Sequence, residues 1–377
     1  MYIEKIVLKN YRNIDNTYLN LNSNLNFFIG NNGQGKTNLL EAVYLMATTE
    51  SHRTNKDSEL IQWNKDRALV QLKIIKTNFD LKISYRIENR NKLIKINNNP
   101  LEKMSDLIGN LNVILFSPED LKIIKGGPSN RRKFLDLEIS QVNSYYYHLM
   151  KEYEHILKQK NKLLKKIYYK EKKDLDLLEV WNDKLADKGA SIIFKRLKVL
   201  KKLKILARLA QRKLTSGNEN LNIEYDCNLK IEEKHKKEEI KNIFLRKLKE
   251  KQKEELERGY TLSGPHRDDL KLKINGMNVR KFGSQGQQRT VALGLKLAEL
   301  ELMKSESGEY PVLLLDDVFS ELDKKRRNTL LSIIDDKIQT LITTTDTEDI
   351  TKLLKKKNSS NSCLFKVKDG IITKACC

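Results

Sequence analysis

The chain lacks the residues that would point to an extracellular or membrane protein. Four cysteines are spread through 377 residues. Cys227 and Cys363 stand alone and Cys376-Cys377 come last, so neither a disulfide framework nor a metal-binding Cys/His spacing can be drawn. No basic amphipathic segment closely precedes the final pair, so a frayed end is expected there rather than lipid attachment. No stretch approaches the roughly 18 apolar residues of a membrane span. The opening Met1-Tyr2-Ile3-Glu4-Lys5-Ile6-Val7-Leu8 alternates like a strand and has no signal-type apolar block. A soluble, cytoplasmic protein without a membrane partner is expected. Acidic residues are also in short supply, with 50 Asp and Glu against 72 Lys and Arg, a formal net charge of +22. Such an excess suits a polyanion partner, because cations that neutralise phosphates release counterions. Charge alone leaves open whether these lysines bind anything or only solvate the surface.

What the chain does have begins at Gly30. Residues Gly30-Asn31-Asn32-Gly33-Gln34-Gly35-Lys36-Thr37 form a complete phosphate-loop motif. It follows the apolar run Leu25-Asn26-Phe27-Phe28-Ile29 and precedes the helically spaced Asn38–Tyr44. Strand, glycine loop and helix in this order let backbone N–H groups wrap a nucleotide phosphate. Lys36 is expected to reach the β- and γ-phosphates and the Thr37 hydroxyl to hold Mg²⁺, so ATP and Mg²⁺ are the expected cofactors.

Residues 1–29 read as two strands around a turn. Three alternating runs between about Ala68 and Ile96 read as an antiparallel meander beside the nucleotide strand. Val113–Phe116 reads as a buried strand. After the linker Gly126-Gly127-Pro128-Ser129-Asn130 the chain turns to long charged helices. Leu149, Tyr153, Ile156, Lys160, Leu163 and Ile167 make a heptad seam with one polar member. A second helix over about Leu175–Leu214 is suited to pair with it. Leu221–Tyr225 reads as a short strand, and Lys271–Ile274 with Met277–Arg280 as a hairpin turning at Asn275-Gly276.

Val312-Leu313-Leu314-Leu315 is a buried-type strand ending in Asp316-Asp317. In phosphate-loop enzymes the first such acid supports Mg²⁺, and the second is available to orient or deprotonate water. Asp316 joins Thr37 as a candidate metal residue, and Asp317 joins Lys36 as a candidate catalytic residue. Upstream, Ser284-Gln285-Gly286-Gln287-Gln288-Arg289 heads a helix and offers a hydroxyl and free N–H groups to an anion. The order phosphate loop, Ser-x-Gly-Gln helix start, acidic strand end and Ser320-Glu321-Leu322-Asp323 resembles the ATP-binding-cassette ATPases. That resemblance implies an α/β fold: an ABC-type P-loop ATPase head, with a mixed sheet plus an antiparallel β meander, and an inserted all-helical lobe. The head is expected over residues 1–127 and 258–377, and the helical lobe over 128–257. It also implies that Ser284, Gln285, Gly286 and Gln287 act in trans on ATP held by a second copy, so that nucleotide joins a homodimer.

About 280 residues separate Lys36 from Asp316, too many for a compact transporter subunit and too few for long coiled-coil arms. Thr340-Leu341-Ile342 is followed by Thr343-Thr344-Thr345, without the histidine usual in transporter ATPases. Further motifs are Asn10-Tyr11-Arg12-Asn13, Ser51-His52-Arg53-Thr54, Phe116-Ser117-Pro118-Glu119-Asp120-Leu121, Arg131-Arg132 and Leu262-Ser263-Gly264-Pro265-His266-Arg267-Asp268-Asp269. With these the chain resembles the RecF family of bacterial recombination and repair ATPases over essentially its whole length. The resemblance implies a DNA-dependent ATPase that dimerises on ATP and prefers double-stranded DNA beside single-stranded gaps. With the RecO and RecR mediators it would help load the RecA recombinase. Arg12 and Arg53 are softer candidates for phosphate or adenine-side contacts, and His266-Arg267 have no assigned chemistry. Two other readings stand beside this one: a nucleotide-gated DNA scaffold with incidental hydrolysis, and, less in keeping with the spacing, a transporter ATPase subunit.

Overall fold

The computed structural model describes residues 1–88, 91–169, 174–334, 337–345 and 362–376. Cys377 and the side chains of Ser320 and Glu321 lie outside what is described. In chain order the elements are β1 (Tyr2–Tyr11), β2 (Ile14–Asn20), β3 (Leu25–Ile29), α1 (Lys36–Thr48), β4 (Arg67–Ile75), β5 (Asp80–Glu88), β6 (Asn91–Ile96), β7 (Asn99–Pro100) and β8 (Val113–Phe116). There follow α2 (Leu121–Lys125), α3 (Pro128–Val142), α4 (Ser144–Tyr168), α5 (Leu175–Leu214), β9 (Leu221–Asp226), α6 (Lys237–Arg258), β10 (Asp269–Ile274), β11 (Met277–Asn278) and α7 (Val279–Phe282). The chain ends with α8 (Gln285–Ser307), β12 (Val312–Asp316), α9 (Val318–Glu321), α10 (Lys324–Ile333), β13 (Thr340–Thr344), β14 (Ser362–Lys368) and β15 (Ile371–Cys376). They gather into two compact units, one of residues 1–120 and 295–377, the other of residues 121–294.

The first unit holds two sheets. One is antiparallel, in the order β2-β1-β4-β5-β6-β7. Its strands alternate with period two: Ala68, Val70, Leu72 and Ile74 of β4 are buried, as are Leu81, Ile83, Tyr85 and Ile87 of β5, so one face packs and the other meets water. The other sheet runs β15-β14-β3-β13-β12-β8, parallel from β14 to β8, with β15 antiparallel at one edge. Its central strands β3, β13 and β12 are buried along almost their whole length, polar Asn26 and the β13 threonines included, as strands covered on both faces are. The first 29 residues contain three strands rather than two. The extra turn falls at Arg12-Asn13, where Arg12 takes φ 53° without the glycine that would have announced it. The meander therefore joins β1 and β2 in a sheet separate from that of β3. Cys363 in β14 is disulfide-bonded, against the expectation of unpaired cysteines.

In the second unit α4, α5 and α6 pack together, and β9, β10 and β11 form a three-stranded antiparallel sheet. β9 thus interrupts the helices of residues 128–257. The hairpin turns at Asn275 (φ 47°) and Gly276 (φ 87°), but its second strand is only two residues long. The Asn278 side chain accepts a hydrogen bond from the Lys281 N–H at 3.2 Å and starts α7, a cap outweighing strand preference. The heptad seam of α4 is internal: Leu149, Tyr153, Ile156, Lys160 and Leu163 are buried. Its polar member, Lys160, donates to Glu255 Oε2 of α6 at 2.7 Å, with both side chains out of water.

A buried charge network ties this unit together. Arg196 of α5, 1% exposed, grips Asp136 of α3 through Nε at 2.9 Å and Nη2 at 2.8 Å, and donates Nη1 to the Pro265 carbonyl at 2.8 Å. Tyr146 donates to Asp136 at 2.6 Å, while Tyr225 donates to Asp268 and the Asn228 N–H reaches the same carboxylate at 2.8 Å. Arg131 makes a two-pronged pair with Asp269 at 2.7 and 3.0 Å, and Arg132 donates to the Asp268 carbonyl at 2.7 Å. Tyr153 and His266 Nδ1 share a hydrogen bond of 2.7 Å. Burial, with Arg267 beside it, pushes the His266 pKa down to about 3, so the ring is neutral. Gly264 has φ 128°, and a Cβ there would stand 2.5 Å from the Tyr153 hydroxyl. The Arg131-Arg132 and Leu262–Asp269 motifs thus meet in one structural hub.

Replacing Arg196 by Met keeps most of its bulk but strands the carboxylates of Asp136 and Asp268. Breaking a buried pair in this way costs about 3–5 kcal/mol. Urea unfolding followed by circular dichroism should show that loss, and a change below about 1 kcal/mol would contradict the hub's role.

Candidate nucleotide site

The register of three parallel strands assembles the site. Thr343 of β13 lies opposite Phe28 of β3 on one side and Asp316 of β12 on the other. The glycine loop leaving β3 and the acidic end of β12 therefore emerge at the same sheet edge, the carboxyl end, where ligands of open α/β sheets bind. Gly33 and Gly35 take φ 81° and 107°. A Cβ on Gly35 would fall 2.6 Å from Asn13 Oδ1, so glycine is required both for backbone angle and for room.

Within this frame Thr37 Oγ1 donates to Asp316 Oδ1 at 2.9 Å, and Thr343 Oγ1 donates to the same oxygen at 2.8 Å. Thr343, inside β13, is thus a second hydroxyl on the carboxylate. Lys36 folds back over its own loop, donating to the Gly30 carbonyl at 2.6 Å and the Asn31 carbonyl at 2.9 Å. Burial lowers its pKa, opposed by Asp317 and Asp316. Asp317 caps α9 in the left-handed region at φ 49°, and its N–H donates to Thr343 Oγ1 at 3.0 Å. That backbone angle is uncommon for a non-glycine residue. It falls where the chain leaves β12 directly after Asp316.

The loop is held from outside by Asn13 of an early motif and by Asp369 and Gly370, which the sequence did not single out. The Gln34 carbonyl accepts from Gly370 N–H at 3.0 Å and from Asn13 Nδ2 at 3.2 Å, and its side chain accepts from Asp369 N–H at 2.5 Å. Gln34 is therefore engaged in fixing the loop. Glu41, fully buried in α1, takes a two-pronged pair from Arg12 at 2.9 and 2.6 Å and a hydrogen bond from Ser51 at 2.5 Å. The third arm of Arg12 donates to the Glu59 carbonyl at 2.8 Å. Arg12 is thus committed to framing α1. Arg53 leans the same way, 3.7 Å from Glu41 and donating to Asn38 Oδ1 at 2.6 Å. A carboxylate inside an otherwise apolar helix was the available signal for this cluster.

Ser284 lies in the second unit at the start of α8. Its hydroxyl accepts from Gln287 N–H at 3.2 Å, and the Gln287 side chain accepts from Ser284 N–H at 2.9 Å, a reciprocal capping box. Gln287 also donates to Glu219 at 3.0 Å, and Gln288 donates to the Gly283 carbonyl at 3.1 Å. Ser284 and Gln285 are exposed.

ATP and Mg²⁺ fit this donor set. The loop has the glycine geometry of a phosphate cradle with a lysine at its mouth, and one hydroxyl and one carboxylate lie together, as a Mg²⁺ shared with phosphates requires. Among the described residues no cluster of three His, Cys, Asp or Glu forms an all-protein metal cage, and no helix is long and apolar enough to cross a membrane.

These features define an ABC-type P-loop ATPase fold. The model of the RecF/RecN/SMC N-terminal domain matches residues 2–373, and the chain belongs to that family, among its RecF members. It is 56% identical over 376 residues to the DNA replication and repair protein RecF of Halothermothrix orenii, covering 99% of both chains. Its identity to the protein of the same name from Alkaliphilus oremlandii is 49% over 354 residues, 94% of this chain and 96% of that one. A solved structure described as the recombination mediator protein RecF-ATPrS in the RecFOR pathway matches with a TM-score of 0.91 at 38% identity, over 99% of this chain and 98% of the other.

Folding should hold Glu41 ionised. Burial by itself would raise its pKa, but the hydrogen bonds from Arg12 and Ser51 outweigh that and leave it below the ordinary value of 4.5. A carboxyl depressed by folding contributes stability above its unfolded pKa and loses it as pH falls through the folded one. The melting temperature should therefore drop more steeply below about pH 4.5 in the wild type than in Glu41→Gln. Parallel curves in differential scanning fluorimetry would exclude Glu41 as a source of acid sensitivity.

Proposed function

We propose that the chain is a DNA-binding ATPase of recombinational repair and replication-fork maintenance that closes as a homodimer around ATP. The observation that carries this reading is the 2.9 Å contact between Thr37 and Asp316, residues far apart in sequence that meet at the mouth of a phosphate loop. The residues Gly30 to Thr37 hold the phosphates, and Lys36 exchanges its two loop carbonyls for the β- and γ-phosphate oxygens. Thr37 and Asp316 hold Mg²⁺, which when bound offsets phosphate charge. Asp317 orients the attacking water and takes its proton. Ser284 and Gly286, with Gln285 and Gln287 beside them, face the γ-phosphate bound by the other copy, where the helix N-terminus favours negative charge. The functional division is an ATPase lobe of residues 1–127 and 258–377 and an inserted lobe of 128–257. Hydrolysis separates the copies and releases DNA.

The RecFOR pathway named for the solved relative supports RecO and RecR as partners; cytoplasmic action on double-stranded DNA next to single-stranded gaps belongs to the same proposal. The net charge of +22 suits that substrate. Turnover is expected to be slow and DNA-stimulated, because nucleotide-dependent pairing is the working step.

Light scattering of Asp317→Asn with Mg-ATP should give twice the mass seen without nucleotide, while Ser284→Arg stays at protomer mass yet still binds ATP. A protomer mass for Asp317→Asn in both conditions would reject the trans arrangement. In a separate titration, affinity for gapped duplex DNA should fall linearly in log-log form with salt, by about 10³–10⁵ between 50 and 200 mM if six to ten phosphates are contacted. A flat response would reject phosphate-dominated binding.

A further inference from the structure

The second half of α5 has two faces of opposite character. Leu197, Leu200, Leu203, Ala207, Gln211 and Leu214 are buried. Turned away from them, Lys198, Lys201, Lys202, Arg208, Arg212 and Lys213 are all exposed. At 100° per residue these six cations fall within about 140° of helix surface. Between them lie Ile205 and Leu209, one turn apart and 53% and 56% exposed. From Lys195 to Asn218 the sequence contains no Asp or Glu. Lys204, which lies outside this stripe toward the buried side, is paired with Glu233 at 2.5 Å.

We infer that this face is a docking site for an acidic, amphipathic protein segment that sets two or three apolar side chains on Ile205 and Leu209 and ranges its carboxylates along the flanking cations. Charge complementarity defines the sign of the partner, and the apolar pair defines its class. Nucleic acid backbones are recognised through phosphates, for which two aliphatic side chains at the centre of a basic stripe have no use. An amphipathic helix laid along such a face reads anchors spaced by three or four residues, the spacing of Ile205 and Leu209. Arg and Lys rows on either side would steer the encounter and fix its direction.

The test uses the full-length protein and a fluorescein-labelled helical peptide of alternating Leu and Glu turns, with polyaspartate and a labelled duplex oligonucleotide as comparison probes. Fluorescence anisotropy should show the peptide binding at least tenfold more tightly than polyaspartate. Ile205→Ser with Leu209→Ser should weaken peptide binding at least tenfold while leaving duplex affinity and ATP turnover within twofold. Lys201→Glu with Arg208→Glu should also weaken the peptide tenfold. Both pairs are surface changes, and an unchanged melting temperature confirms folding. No preference for the peptide over polyaspartate overturns the inference, as does a serine pair that binds the peptide normally. Loss of duplex affinity in the charge-reversed pair, with the peptide unaffected, assigns the face to nucleic acid and overturns it equally.

Discussion

The parallel register of β3, β13 and β12 is the constraint on which the nucleotide site depends. A slip of one residue in a strand turns every side chain to the opposite face, and here it would remove Thr343 from Asp316 and Asp316 from Thr37. The register is secured by burial: Phe27 and Phe28, Leu313 to Leu315 and Leu341 to Ile342 are all buried in the first unit. Gln339 adds a directional lock. Its side chain donates to the Ile3 and Asn22 carbonyls at 2.7 and 2.8 Å and accepts from the Ile3 N–H at 2.6 Å. One buried amide thus aligns the start of β13 with β1 and with the turn before β3. The hydrophobic effect supplies the energy, but only directional bonds specify which of several apolar registers is adopted.

The second unit meets the same problem with charge. Asp136, Tyr146, Arg196, Tyr225, Pro265 and Asp268 come from α3, α4, α5, β9 and the turn before β10, and they converge on one guanidinium. A buried ionic network is weak evidence for net stability, since an apolar cluster of similar volume often does as well. Its geometry is more demanding. Arg196 is planar, and its donors fit the carboxylate of Asp136 in a fixed orientation. Helices packed only through leucines can slide by a turn; helices joined through such a fork cannot without stranding charge. Lys160 with Glu255 repeats the device between α4 and α6. Near the ATPase loop, Arg12 with Glu41 does the same for α1. The three pairs share one logic: each puts a charged partner where the helix has an apolar stripe.

Sequence reading recovered the parts of the fold that rest on strong local patterns. The phosphate loop, the Val312–Asp316 strand, the alternating meander and the long helices were all legible because glycine geometry, burial and period are local properties. Three details were not. The Arg12-Asn13 turn has positive φ without glycine, Asn278 ends a strand by capping a helix, and Cys363 is bonded although no spacing announced it. Residues read as motifs divided on inspection of their contacts. Thr37 and Asp316 came together as the chemistry required. Arg12, read as a possible phosphate ligand, is engaged with Glu41 and Glu59, and His266, read as unexplained, is a neutral, half-buried histidine bonded to Tyr153. Identity of a motif residue is visible in sequence, but whether its donors are already occupied is a long-range fact. Arg12 and Glu41 lie 29 positions apart, and His266 and Tyr153 lie 113 apart.

The surplus of positive charge also divides once contacts are known. Part of it is structural: Arg196, Arg131, Lys160 and Lys36 are buried and hold carboxylates or carbonyls. Part is paired at the surface, where Lys73 meets Glu4 and Asp80, and Lys271 meets Asp226. Surface pairs of this kind contribute little to stability, about 0–1 kcal/mol each, but they remove cations from the field seen by a distant polyanion. Net charge therefore overstates the attraction available for DNA and says nothing of where it acts. The outer face of α5 differs because its cations are concentrated within a single helical stripe and enclose an apolar pair. Counting lysines could not separate these cases, since the same residue type frames a core, decorates a surface or forms a recognition stripe according to what its helix places opposite it.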